Sequence, residues 1–263
     1  MANFRLPGPV CLFLGALPID TGTLCRSASA PPGVLQHDHP AHARKHHLTH
    51  HRQHKAKSAA VAVPVLAAEH LTEADFEAAA KSLGPGISPA LVHAFAEVES
   101  NGRTGFGEEG LPVIAYEGHR FRKYTYHKFD NDYPYLSYLY VEKAGVKWRH
   151  NNANQKTAWA TLNAALELDH EAALKSCSWG MFQVMGFNFK TCGYDSVDNF
   201  VVAMKAGENR QLEAFVGFCK SLPSLLESMR EKDFAAMAMF YNGEDYGDYD
   251  QRIARAYQKY GGA

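Results

Sequence analysis

Residues 95–106, FAEVESNGRTGF, place Glu97 and Glu99 two positions apart, where a helix reads as giving way to a polar, glycine-bearing segment. A carboxylic acid delivers a proton at neutral pH only if its surroundings keep it uncharged, so the face each glutamate occupies matters. At about 100° per residue, Leu91, Val92, Phe95 and Val98 fall on one arc of the helix. Glu99 falls within that arc and Glu97 projects to the opposite side, where a solvated glutamate costs nothing. A carboxyl on an apolar face must be paired, hydrogen-bonded or held protonated. The protonated state is the one a general acid needs. The alternative is a structural or solvent-exposed Glu99, reached by water through a frayed last turn.

The elements that must position these residues can be read outward from this helix. Order begins near Leu71, where Thr72 and Asp75 approximate a capping box and FEAAAKSL continues a short helix. Gly84-Pro85-Gly86 breaks that helix. Ser88-Pro89 restarts one with a cap residue and a proline at its first position. Residues 103–153 are rich in Tyr, Asn and Gly and predict short strands or a long ordered loop. Helical stretches follow at about 154–176, 195–221 and 223–241, with a last one from about 248. Strand alternation is nearly absent from the second half, so the chain is expected to be mainly α, without internal repeats.

Composition narrows the function classes. The net charge of −1 hides an asymmetry: residues 1–69 hold 7 Lys and Arg against 3 Asp and Glu, whereas the remainder is mildly acidic. That balance gives no nucleic-acid footprint. The apolar run PVCLFLGALPI, residues 9–19, is too short to span a bilayer. With Arg5 before it and Ala28-Ser29-Ala30 after it, the run sketches a signal peptide. The long gap to that site and Pro31 directly after it speak for an N-terminal extension instead. Residues 37–57 hold eight of the fourteen histidines in a polar, low-complexity stretch, expected to be a basic linker rather than a metal site. The domain boundary is therefore drawn between an extension at 1–69 and a folded domain at 70–263. Five cysteines at 11, 25, 177, 192 and 219 are too few and too irregular for a disulfide framework or a zinc site. Cys177 and Cys192 remain a pair if their geometry allows. His93, His119, His127, His150 and His170 show no metal-ligand spacing, and no phosphate-binding glycine loop is present. Neither metal nor cofactor is expected.

Three further stretches bear on Glu99. They are YEGHRF at 116–121, SWGMFQVMGFNF at 178–189 and YNG at 241–243. Taken in order with EVESNGRTGF, they resemble the N-acetylmuramidase family of phage endolysins and bacterial wall hydrolases. That family lies within the lysozyme-like superfamily of goose-type lysozymes and lytic transglycosylases. The resemblance covers about residues 70–263 and leaves out the extension. Any one motif is loose; four in order at plausible spacing are specific.

The resemblance implies a mainly α, lysozyme-like domain with a long irregular or short-strand segment in its first half. It implies cleavage of the β-1,4 bond between N-acetylmuramic acid and N-acetylglucosamine in peptidoglycan, with Glu99 as proton donor. A lytic transglycosylase, in which the muramyl C6 hydroxyl replaces water, shares the motifs and stays open. So does a non-catalytic wall-binding protein. Glu117 is the candidate second carboxylate, for stabilising an oxocarbenium-like cation or positioning water, against a structural pair with His119 or a nearby Arg. Asp130 and Asp132 are further acids that the sequence does not separate. Ser178, Gly180 and Gln183 are expected to shape the wall opposite the acid, Gln183 holding an N-acetyl group or hydroxyl. The alternative for that stretch is a tight turn leading into a core helix. Tyr241 and Asn242 follow an apolar helix that Gly243 would end, and the tyrosine is expected near the acid. Trp148, Trp179 and the tyrosines at 124, 126, 133, 135, 138 and 140 offer faces on which sugar rings could stack. The expected partner is the glycan strand, on which the protein would act as a monomer in the cell envelope, with no nucleic acid and no stable membrane span.

Overall fold

A computed structural model describes residues 70–107, 109–141, 144–244 and 246–262. The signal-like run and the histidine tract lie outside the described residues. Thr72, in extended conformation, caps the first helix, α1 (Glu73–Leu83), and the Asp75 carboxylate accepts from its N–H at 2.8 Å and its hydroxyl at 2.6 Å. Gly84 stops the helix with a φ of 114° that other residues rarely adopt. Ser88 and Pro89 then open α2 (Pro89–Ser100), whose Leu91, Val92, Phe95, Val98 and Glu99 are all buried. Glu97, on the other side, is half-buried and joined to Lys259 Nζ at 2.6 Å rather than simply solvated.

The irregular stretch resolves into one short strand and two short helices, β1 (Ile114–Tyr116), α3 (Gly118–Tyr124) and α4 (Val146–Asn151). The helical stretch at 154–176 is two helices, α5 (Gln155–Leu166) and α6 (His170–Lys175), because the Asp169 side chain caps a new start at Ala172 N–H. SWGMFQVM departs from the mainly helical second half. It forms a hairpin of β2 (Cys177–Trp179) and β3 (Val184–Met185), so the turn is there but the core helix after it is not. These strands have three and two residues, all buried, and such a strand shows no alternation to read. The remaining helices are α7 (Val197–Ala206), α8 (Glu208–Lys220), α9 (Pro223–Glu231), α10 (Phe234–Asn242) and α11 (Tyr249–Lys259). The expected long helices break where Gly207 and the pair Lys232-Asp233 restart the chain.

The three strands form one antiparallel sheet in the order β1-β2-β3, with Ala115 opposite Ser178 and Ser178 opposite Met185. The outer edge of β1 is closed by side chains instead of a fourth strand. Gln155 accepts from Ile114 N–H at 2.8 Å and donates to Ile114 C=O at 2.9 Å. Asn152 does the same for Tyr116, at 2.7 and 3.0 Å. Two amides thus satisfy four backbone groups that an open edge would leave exposed.

Phe95 of α2, Phe182 of the hairpin turn, Phe215 of α8 and Tyr241 of α10 form an aromatic centre, with ring centroids 4.5–5.8 Å apart. Burying each ring is worth about 1.5–3 kcal/mol. This centre locks α2, the hairpin, α8 and α10 together, and α11 packs along α2.

Candidate active site

Glu99 is 7% exposed, in the last turn of α2. The Tyr249 hydroxyl, from the first turn of α11, donates to its Oε1 at 2.5 Å. Tyr249 stacks on Tyr241, with centroids 6.2 Å apart and planes 16° apart, and Tyr241 meets Phe95 edge-on at 5.0 Å. Aromatic rings therefore separate this carboxyl from bulk water. The last turn is held against fraying by Arg252 of α11, whose Nη2 donates to Val98 C=O at 2.7 Å and Asn101 Oδ1 at 3.3 Å.

Glu117 directly follows β1 and caps α3. It is 3% exposed. Its Oε1 accepts from the Trp148 indole N–H at 2.8 Å. His119 Nδ1 lies 3.3 Å from Oε2, within ion-pair distance but off the line of a hydrogen bond. The Glu117 backbone N–H donates to Ser176 C=O at 2.8 Å, which fixes Glu117 to the start of β2. Beside it, burial and the Glu117 charge push the Cys177 thiol well above its ordinary range. Burial and the same charge raise the Tyr138 phenol. Cys177 and Cys192 stay unpaired, as does Cys219, and all three are buried. Burial raises the Cys192 thiol to about 12.

The hairpin residues bond to one another. Ser178 Oγ donates to Gln183 Oε1 at 2.7 Å, and Gln183 Nε2 donates to Gly180 C=O at 2.8 Å and Val113 C=O at 3.3 Å. The Gln183 amide thus braces its own turn at both ends. Gly180, at φ 71°, is needed for a close approach, since a Cβ there would lie 2.4 Å from Gln211 Cδ. Gln211 in turn accepts from Met181 N–H at 2.7 Å. The Tyr241 hydroxyl donates to Phe182 C=O at 2.9 Å, while Asn242 is buried where Gly243 ends α10. Of the other acids, Asp130 is held by Arg122 Nε at 2.8 Å and Ser137 Oγ at 2.5 Å, and Asp132 is exposed. Neither tryptophan considered for stacking presents a face, because Trp148 is 8% and Trp179 1% exposed.

Sequence patterns did not reveal Tyr249, Glu208 or Gln211. Glu208, 1% exposed at the start of α8, accepts from Gly105 N–H at 2.8 Å and Leu71 N–H at 3.3 Å. Glu208 and Gln211 therefore hold the segment that follows Glu99. A Cβ at Gly105 would fall 1.9 Å from Gln211 Oε1, which accounts for the second glycine of NGRTGF. The available signal was the stripe Tyr249, Ile253, Ala256 and Tyr257 on α11, which marks Tyr249 as inward-facing without naming its partner.

Two cavities of about 370 and 460 Å³ lie beside α2 and α11, the first lined by His93 and Tyr260, the second by Glu97 and Arg252. Neither touches Glu99 or Glu117. Among the described residues no three His, Cys, Asp or Glu side chains cluster as metal ligands would. No helix among them is long and apolar enough to cross a membrane.

The family model for N-acetylmuramidase matches residues 88–261, a range that includes the buried acid on α2, the braced hairpin and the tyrosine at the end of α10. The chain belongs to the N-acetylmuramidase family. Membership makes it a peptidoglycan-cleaving enzyme. The crystal structure of Burkholderia AP3 phage endolysin is similar to this muramidase at 37% sequence identity, with a TM-score of 0.63. The likeness covers 73% of this chain and 71% of that one. No curated protein sequence matches the chain significantly.

Proposed function

We propose that residues 70–263 hydrolyse the β-1,4 bond between N-acetylmuramic acid and N-acetylglucosamine, with Glu99 as the general acid and residues 1–69 as an appended extension. The observation that carries this reading is the burial of Glu99 in an aromatic setting, at the negative end of α2, with the Tyr249 phenol on Oε1. Burial away from water is the kind of setting in which a general acid keeps its proton. Glu99 gives its proton to the glycosidic oxygen as the bond from that oxygen to the anomeric carbon breaks. The sugar left behind carries an oxocarbenium-like charge. Water adds to the anomeric carbon, and its surplus proton restores the acid.

Glu117 is assigned the second charge, facing the cation. Its orientation by Trp148 N–H supports this role. Ser178, Gly180 and Gln183 act as a rigid wall whose shape comes from their mutual bonds, and Tyr241 and Asn242 hold the ring layer against Glu99. The substrate places the reaction in the cell envelope.

The test is mass spectrometry of fragments released from purified peptidoglycan by the full chain, beside Glu99→Gln and Glu117→Gln. Reducing muramyl ends that disappear in Glu99→Gln are expected. Fragments lighter by one water would instead make the enzyme a lytic transglycosylase. Glu117→Gln keeps an acceptor for Trp148 but removes the charge. A loss of turnover with unchanged melting supports the electrostatic role, and unchanged turnover removes it.

A further inference from the structure

Six tyrosines between 124 and 140 are candidates for sugar stacking, and they differ in exposure: Tyr138 is buried, Tyr133 and Tyr135 are 42% and 48% exposed, and Tyr126 is the most open. Tyr124 lies against Phe187, Tyr133 against Phe129, Tyr135 against His150 and Tyr140 against His119, with centroids 4.7–6.3 Å apart. Tyr126 is 90% exposed, and among the described residues its ring packs against no other aromatic ring.

The backbone beneath it is unusual. Tyr126 and His127 have φ of 52° and 65°, both left-handed. Lys128 N–H donates to Thr125 C=O at 3.1 Å, closing a four-residue turn around them. Two successive left-handed residues are the pattern that Asn-Gly fills, and a bulky side chain is strained there. A clasp holds the turn in place. His127 N–H donates to Arg122 C=O at 2.9 Å, the Arg122 guanidinium reaches His127 Nε2 at 3.1 Å, and Asp130, itself held by the Ser137 hydroxyl, accepts from Arg122 Nε. A turn needing only to reverse the chain gains nothing from an aromatic residue at this position.

We infer that Tyr126 is a stacking platform for a pyranose ring of the glycan strand, held out from the surface by this clasped turn. The inference rests on the glycan-cleaving reading above. An aromatic face packs against the apolar C–H face of a sugar while its phenol stays available to hydroxyls. Exposed Lys123 and Lys128 flank it, as suits a polymer bearing carboxylates. Tyr126 lies two residues past the end of α3, whose seven residues rise roughly 10 Å from the Glu117 cap. It therefore takes a sugar away from the bond being cut and secures the strand rather than the reacting unit.

The experiment uses the full chain carrying Glu99→Gln, so that strands are bound without being cut, and co-sedimentation with insoluble peptidoglycan. Adding Tyr126→Ala is expected to weaken binding roughly 3- to 10-fold, and Tyr126→Trp to preserve it. Tyr126→Gly is expected to weaken binding and raise the melting temperature, a combination a merely structural tyrosine does not give. Unchanged binding in Tyr126→Ala, or a lowered melting temperature in Tyr126→Gly, overturns the inference. So does loss of binding to phosphatidylglycerol vesicles with wall binding intact, which moves Tyr126 to a lipid surface. Fragment release by the chain with Glu99 intact is scored separately. Its absence counts against the hydrolytic reading, while the sedimentation result still reports on Tyr126.

Discussion

Glu99 and Glu117 are the same residue type, both nearly closed off from solvent, yet their surroundings differ in kind. Glu99 sits in the last turn of α2, among rings, and its Oε1 meets a phenol carried on α11. Glu117 sits at the first turn of α3, between an indole N–H and an imidazole, fastened to β2 through its backbone. On the proposed reading, the first setting is that of the proton donor and the second that of the group that stays an acceptor, so that surroundings and not side-chain type divide acid from electrostatic work.

The sharpest way to break this contrast is Glu99→Gln. It should slow fragment release by about 10²- to 10⁴-fold while leaving the melting temperature unchanged. Equal losses of rate and stability would make Glu99 a structural residue. Trp148→Phe strikes the other side, leaving Glu117 Oε1 buried without its donor at a cost of about 1–3 kcal/mol. Urea unfolding should register that cost, and no change would mean that the indole bond contributes little. Tyr249→Phe removes the phenol from Glu99 but leaves the ring packed. A roughly 10-fold fall in turnover with little change in stability is expected, equivalent to about 1.4 kcal/mol. A fall in stability alone would place Tyr249 with the core instead.

The smallest effect belongs to a control remote from both carboxyls. The Thr72 hydroxyl and N–H hold Asp75 below its ordinary value of 3.8. A carboxyl depressed in the folded state contributes stability above its unfolded value and loses it as pH falls through the folded one. Thr72→Ala should therefore cost about 1 kcal/mol at pH 6. The gap between variant and parent should narrow below pH 3.8, as urea titrations at the two pH values will show. A gap constant with pH would locate the loss in packing rather than in this bond.

The helix carrying Glu99 was legible because its signals are local: Ser88-Pro89 starts it, and a period of 3.6 residues turns one glutamate in and the other aside. The four motifs likewise mark the family to which the chain belongs. The hairpin was not legible, since buried strands of two and three residues carry no alternation. The glycines at 105 and 180 had no visible cause until Gln211 was seen lying against both. Gln183 read as a substrate-facing amide because an amide has capacity in every direction, and only the folded turn shows where that capacity goes.

By itself, then, the sequence determined the helical class, the cap of α1, the inward face of α2 and the identity of the candidate acid. These follow from residue type and short-range periodicity. Tertiary structure alone decided that Tyr249, 150 residues away, answers Glu99, that Trp148 answers Glu117, and that Tyr126 is the most exposed of the six tyrosines. Such pairings depend on how α11 lies on α2 and α4 on the sheet. Contacts between distant elements are set by the packing of whole faces, and no local pattern encodes them.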